Sequence, residues 1–198
     1  MVMTKNSKLI RLEDVAEVRS GLVLARKQAL GISAFAYKLL TLRSIHPNGY
    51  VDVKQLDVFH AADDLQLCYL SQVGDVIIRL SAPYTAFFVD ESTAGMVVSS
   101  NFVIIRADRN ELLPEYLFWL LNTPKVKRSI YENATSNMLG AIKATYFAGF
   151  EMPKLPLAKQ QQIADINALA LKEAKLLRDL AEQKERYYSF MITRIQKN

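Results

Sequence analysis

Apolar and polar positions change rhythm several times along the chain, and each change marks an element. From Lys8 to Val18 the apolar residues Leu9, Ile10, Leu12, Val15, Ala16 and Val18 fit an entry strand and a short helical turn, closed by Arg19-Ser20-Gly21. Tyr37 to Ile45 reads as a strand and Tyr50 to Val53 as the next one. The His46-Pro47-Asn48-Gly49 turn joins them as a hairpin, because Asn-Gly supplies the positive φ that a tight turn needs. Val76 to Leu80 is a β-branched run launched from the Gly74-Asp75 turn, so it predicts a core strand. Phe87 to Val89, Met96 to Val98 and Phe102 to Arg106 continue the strand pattern, and Pro114 then opens a helix carrying Tyr116, Leu117, Trp119, Leu120 and Leu121. Ser136 to Gly140 is loop-like, and the apolar residues after it fit either a short helix or a strand.

After Met152-Pro153-Lys154-Leu155-Pro156 the composition shifts sharply. No Gly or Pro occurs from Leu157 to Asn198, while Ala, Leu, Lys, Gln and Glu dominate. The expected organisation is a globular α+β domain over 1–156, of mixed strands and short helices, and one long coiled-coil helix over 157–198. As a single helix from about Ala158 to Arg194 it would reach about 55 Å, too long to wrap inside a small domain. Ile163, Ile166, Ala170, Leu177, Leu180, Tyr187 and Met191 recur at spacings near three and four, with Leu169, Leu176 and Phe190 widening the stripe. Such a face needs a partner: a helix of another chain, or the chain's own globular part if the helix folds back.

Composition narrows the function. With 198 residues, 51% of them apolar, the chain can bury a real core, and a net charge of +5 favours polyanionic partners without demanding one. Cys68 is the only cysteine, which leaves no disulfide within the chain and fits a reducing compartment. The N-terminus has no apolar signal-like stretch and nowhere do eighteen uncharged apolar residues run together, so the expectation is a cytoplasmic protein with no membrane role. That expectation also makes the sequon Asn133-Ala134-Thr135 a chance match.

Enzyme chemistry finds little to stand on. There is no Gly-rich loop for a nucleotide or methyl donor, and Asn122-Thr123-Pro124-Lys125 only faintly echoes the Asn-Pro-Pro-aromatic turn of base-flipping methyltransferases. Asp165, Glu182 and Lys184 resemble a nuclease set in type, but they share one projected helix and should not converge. His46 sits in a turn, His60 flanks Ala61-Ala62-Asp63-Asp64, and neither has a nucleophile beside it. A non-catalytic protein without cofactor or metal is expected.

Four stretches, in this order, resemble one half of the specificity subunit of type I restriction-modification systems. Leu12-Glu-Asp-Val-Ala-Glu-Val-Arg-Ser-Gly21 is similar to the entry into a target recognition domain; Gly74-Asp-Val-Ile-Ile-Arg-Leu-Ser81 and Ser99-Ser-Asn-Phe-Val-Ile-Ile-Arg106 resemble two of its strands. Leu113-Pro-Glu-Tyr-Leu-Phe-Trp-Leu120 looks like the helix that follows them. Most specific is Met152-Pro-Lys-Leu-Pro-Leu-Ala-Lys-Gln-Gln-Gln-Ile163, similar to the family's proline pair, Leu-Ala-x-Gln-Gln-x-Ile and long helix, with Lys154-Leu155 between the prolines and Lys159 where an acid is common. The family usually carries two recognition domains and two antiparallel helices; here there is one of each. The resemblance implies a chain that reads one half of a split double-stranded DNA site, with the helix setting the spacing and docking the methyltransferase (modification) subunits and, through them, the restriction subunit. A homodimer through the helix would read an inverted repeat. The competing reading is an interaction protein, for instance a decoy that binds partner subunits through its helix without reading DNA.

Base edges call for Arg, Lys, Asn, Gln and Ser on loop ends, and phosphates for accessible positive charge. On that basis Arg19, Ser20, Arg26, Lys27 and Arg43 are candidates for one basic lip, and Arg79, Ser81 and Tyr84 for the end of a central strand. Ser100, Asn101, Ser136 and Asn137 offer short polar side chains, with Lys143 for phosphate. Lys125, Lys127 and Arg128 form the densest positive run of the globular part, readable also as the favourable basic C-terminus of the preceding helix. Residues 1–156 carry 17 basic against 15 acidic groups, so the long-range field is weak.

Overall fold

The computed structural model describes residues 8–31, 33–136 and 142–196. In chain order the strands are β1 (Leu9–Arg11), β2 (Ala16–Ser20), β3 (Phe35–Leu40), β4 (Asp57–Ala61), β5 (Val76–Arg79), β6 (Ala86–Phe88), β7 (Val97–Val98), β8 (Phe102–Ala107) and β9 (Glu151–Pro153). The helices are α1 (Pro114–Asn122), α2 (Pro124–Ser136), α3 (Ala144–Ala148) and α4 (Leu157–Gln196). The fold is α+β, ending in a long helix.

An antiparallel sheet in the order β2-β8-β5-β6 forms the centre. Strands β5, β6 and most of β8 read as unbroken apolar runs because both faces are covered, whereas the edge strand β2 alternates apolar and charged residues. Val76, Ile78, Val103 and Ile105 pack with Leu12, Tyr116, Leu117 and Phe147, whereas Ile77, Phe87, Phe102 and Ile104 pack with Leu40, Ile45, Met96 and Val98. A second sheet, β4-β3-β7, joins β3 antiparallel to β4 and parallel to β7. β1 pairs with β9, Leu9 facing Pro153, so the entry strand is tied to the segment that leads into α4.

Two local expectations change. The strand beginning near Tyr37 stops at Leu40, and the hairpin beyond it shrinks to one bridge between Ile45 and Val51. Thr41 and Ser44 exchange side-chain-to-backbone hydrogen bonds at 2.8 and 3.2 Å, an alternative to ladder pairing that turns the chain early. The Asn-Gly turn itself forms: Gly49 sits at φ +82 and its N–H donates to the His46 carbonyl at 2.9 Å. The ambiguous stretch before the prolines becomes the short helix α3 followed by β9.

Helix α4 has 40 residues and so extends about 60 Å. Gln160, Ala164, Asn167 and Leu171 recur along one side. Gln160 and Ala164 are buried, and Asn167 and Leu171 line clefts against the globular part. Ile166, Leu169, Leu177, Leu180 and Tyr187 lie on the opposite side and are 48–69% exposed. The apolar stripe therefore faces away from the chain's own core, which the fold-back alternative does not provide for. Ile163, expected in that stripe, instead packs on the core beside Phe147 and Leu155. No helix among the described residues is long and apolar enough to cross a membrane.

Candidate nucleic-acid interface

Strand order decides which loop ends meet. In the central sheet Ser20 is opposite Val103, Arg79 opposite Phe102 and Ile78 opposite Ala86, so the ends of β2 and β5 and the starts of β8 and β6 share one edge. Backbone hydrogen bonds hold the connecting turns together: Leu80 N–H to the Asn101 carbonyl at 2.9 Å, Gly21 N–H to that of Phe102 at 3.1 Å, and Ser100 N–H to that of Leu22 at 2.8 Å. Gly21 is the close approach, since a Cβ there would collide with the carbonyl oxygens of Ser99 and Val98. The result gathers the exposed side chains of Ser20, Ser81, Ser100 and Asn101 and the half-buried guanidinium of Arg79 at one end of the sheet. These are short hydrogen-bonding groups on rigid turns beside a cation.

The arginines are partly committed. Arg79 donates from Nη2 to the Ala82 carbonyl at 3.1 Å, and burial pushes its pKa below the usual arginine value. Arg19 pairs with Glu17, whose hydrogen bond is the main cause of its raised pKa, and donates to the Cys68 carbonyl at 3.3 Å. The Nε of each is buried without a partner among the described residues. Tyr84, expected at the strand end, is a correction: at φ +52 its ring turns into the core and is only 6% exposed, so it presents nothing to a groove.

The single basic lip also divides. Lys27 pairs with Asp63 at 2.9 Å, near Gln28, which bridges to Ala61. Arg43 instead pairs with Asp57, and the register of β3 with β4 puts Asp57 opposite Leu39 while Ala61 is opposite Phe35. Lys27 and Arg43 thus lie at opposite ends of that ladder, about 13 Å apart along the strand. Arg26 is exposed in the 3-10 turn Leu24–Arg26. Lys125, Lys127 and Arg128 do not close α1; Lys125 and Lys127 stand in the first turn of α2, where the helix dipole opposes positive charge, and Arg128 follows at the start of the second. Arg128 is paired with Glu132 at 3.1 Å, and Lys127 is half-buried 3.5 Å from Thr85 Oγ1, its pKa lowered by that burial. Ser136 is the last residue of α2, Lys143 is exposed at the N-cap of α3, and Asn137 lies outside the described residues.

No protein-family model matches this sequence, and no curated protein does. Solved structures do. A chain from the structure of a type I R-M system, described for its complex assembly and conformational transition, superposes with a TM-score of 0.68 at 16% identity, covering 93% of this chain and 47% of that one. The HsdS subunit from Thermoanaerobacter tengcongensis superposes with a TM-score of 0.63 at 18% identity, covering 87% of this chain and 44% of that one. This chain has the fold of one half of an HsdS subunit. It spans about half the length of either solved chain.

Several residues that resemble the specificity-subunit pattern prove to build that fold. Asp75 of the Gly-Asp turn is 2% exposed and accepts from Arg106 Nε at 2.8 Å, Arg106 Nη2 at 3.2 Å and the Gln72 N–H at 2.8 Å. Arg106 Nη2 also donates to the Leu70 carbonyl at 3.0 Å, so one ion pair ties β5, β8 and the loop before them. Gln160, first of the glutamine triplet, accepts from the Leu113 N–H at 2.8 Å and donates to the Glu111 and Leu155 carbonyls at 3.0 and 2.9 Å. Asn122, which echoed a methyltransferase turn, instead clips α1 to β6: its Oδ1 accepts from the Ala86 N–H at 3.2 Å and its Nδ2 donates to the Ala86 carbonyl at 2.9 Å. Sequence reasoning marked these motifs by resemblance but had no means of seeing that their partners lie tens of residues away.

Proposed function

We propose that this chain is the DNA-recognition subunit of a type I restriction-modification complex. Its globular part reads one half of a bipartite site in double-stranded DNA, and two copies pair through α4 to read an inverted repeat. The methyltransferase subunits, and with them the restriction subunit, assemble on that dimer. The observation that carries this reading is the fold shared with half an HsdS subunit over nearly the whole chain, long helix included. The polar end of the central sheet fits the role: Ser20, Ser81, Ser100 and Asn101 can exchange hydrogen bonds with base edges, and Arg79 supplies positive charge. The chain contributes sequence choice, and the chemistry belongs to its partners.

The test is selection of bound sequences from a random DNA pool, using the chain mixed with its methyltransferase subunits. An enriched inverted repeat with a fixed spacer is expected. A stable complex without enrichment would overturn the DNA-reading role in favour of a decoy that binds partner subunits through α4.

A further inference from the structure

We infer that α4 is itself part of the DNA-contacting surface, with Lys172, Lys175 and Arg178 forming a phosphate-backbone site beside the His46–Tyr50 turn. The inference rests on the DNA-reading role proposed above and extends it from the sheet edge to the helix.

Three observations lead there. First, a cleft of about 390 Å³ separates the turn from the helix, with Asn48 and Tyr50 on one wall and Lys172, Lys175 and Arg178 on the other; no acidic residue lines it. None of the three cations makes a hydrogen bond or ion pair among the described residues, unlike Arg19, Lys27, Arg43, Arg106, Arg109 and Arg128. Secondly, the cleft adjoins the recognition edge. A Cβ on Gly49 would lie 2.9 Å from the Ala86 carbonyl, which places the turn on the first residue of β6, and Arg79 N–H donates to the neighbouring Thr85 carbonyl at 3.2 Å. A second cleft of about 310 Å³, also without acids, shares Asn48 and Leu171 with the first and brings in Lys127, which reaches Thr85. Lys127 and the helix cations thus line two clefts that share Asn48 and Leu171, with the β5 end at Arg79 beyond Thr85. Thirdly, Lys175 and Arg178 continue the side of α4 that carries Gln160, Ala164 and Leu171, so a partner helix on the opposite apolar stripe leaves both accessible, while Lys172 stands between the cleft and the trough of Leu169, Leu176, Leu177 and Leu180.

Helical rise separates Lys172 from Arg178 by about 9 Å along the axis, the run of two to three phosphates of one strand. A polyanion with that spacing suits three unpaired cations better than one carboxylate would. It also places positive charge where the globular part, with nearly balanced charges, has little to offer.

The test uses the full chain together with its methyltransferase subunits and double-stranded DNA, both of random sequence and of the enriched site. Replacing all three cations, Lys172→Gln, Lys175→Gln and Arg178→Gln, is expected to weaken binding to both DNAs about tenfold or more. It should also lower the slope of log affinity against log salt by about two to three, since each lost phosphate contact removes about 0.9. Arg178→Gln alone, a milder change, is expected to lower the slope by about one. Helicity and solution mass stay as in the parent. Unchanged affinity and slope in both variants would overturn this inference and leave DNA reading by the sheet edge intact. Unchanged DNA binding with lost capture of the methyltransferase subunits would assign the basic side to protein docking instead. A parent chain that binds no DNA together with its methyltransferase subunits would overturn the proposed function along with this extension of it.

Discussion

Asp75 and Arg106 lie 31 positions apart in sequence and form an ion pair at 2.8 Å with the carboxylate in the core. An exposed pair of this kind contributes little, because water solvates both charges well and side-chain ordering opposes pairing. Here the carboxylate is 2% exposed and accepts three N–H groups, so removing one partner leaves a charge buried without compensation. Asp75→Ala is expected to cost about 3 kcal/mol, read as a lower midpoint in urea unfolding; a change under about 0.5 kcal/mol would mean that the pair is not what joins β5 to β8. Which candidate residues reach the surface was legible unevenly for the same reason: burial is not visible in a motif. Tyr84 and Ser81 look equally eligible at a strand end, yet one ring enters the core and the other hydroxyl is exposed.

Among elements, the junction between β9 and α4 shows how a motif that resembles a family pattern acquires a physical cause. Gln160 and Gln161 are neighbours of identical composition. The first is buried and satisfies three backbone groups in the segment leading into α1 and at the second proline, whereas the second is exposed and bonds Asp165 at 2.8 Å within the helix. Gln160→Leu leaves the Leu113 N–H and two carbonyls without those partners, an expected loss of about 1–3 kcal/mol in unfolding free energy. Gln161→Ala is expected to stay within about 0.5 kcal/mol, and equal effects of the two substitutions would refute the clamp. Helix boundaries were legible beforehand because they depend on local chemistry: Pro114 at the first turn of α1, and the absence of Gly and Pro after Leu157. The split of Pro114 to Ser136 into α1 and α2 at Thr123 was harder to anticipate, although Pro124 marks the break.

For the molecule as a whole, the exposed stripe on α4 is the feature that a lone chain leaves unsatisfied. Leu169, Leu176, Leu177 and Leu180 form a shallow apolar trough facing away from the globular part, and the proposed dimer covers it. Leu177→Glu combined with Leu180→Glu is expected to halve the solution mass measured by light scattering while leaving the near-ultraviolet dichroism of the globular part unchanged. A mass equal to that of the parent would sink the idea that this stripe drives assembly. Loss of the dimer should also abolish selection for an inverted repeat while single half-sites still bind weakly, because two readers held at fixed separation gain effective concentration that one reader lacks.

The sequence by itself determined the kinds of elements, most of their order and the break near Pro156, because strand runs, turn glycines and helix propensity act over a few residues. It also carried the resemblance, through segments that proved to hold the fold together. Only the tertiary structure decided which loop ends meet, which cations are already paired and which side of α4 faces inward. Those outcomes follow from strand order and helix docking, which bring Ser20, Arg79 and Asn101 to one edge and separate Lys27 from Arg43. Such pairings close loops of tens of residues, and no local pattern of hydrophobic and polar positions encodes which distant partner wins.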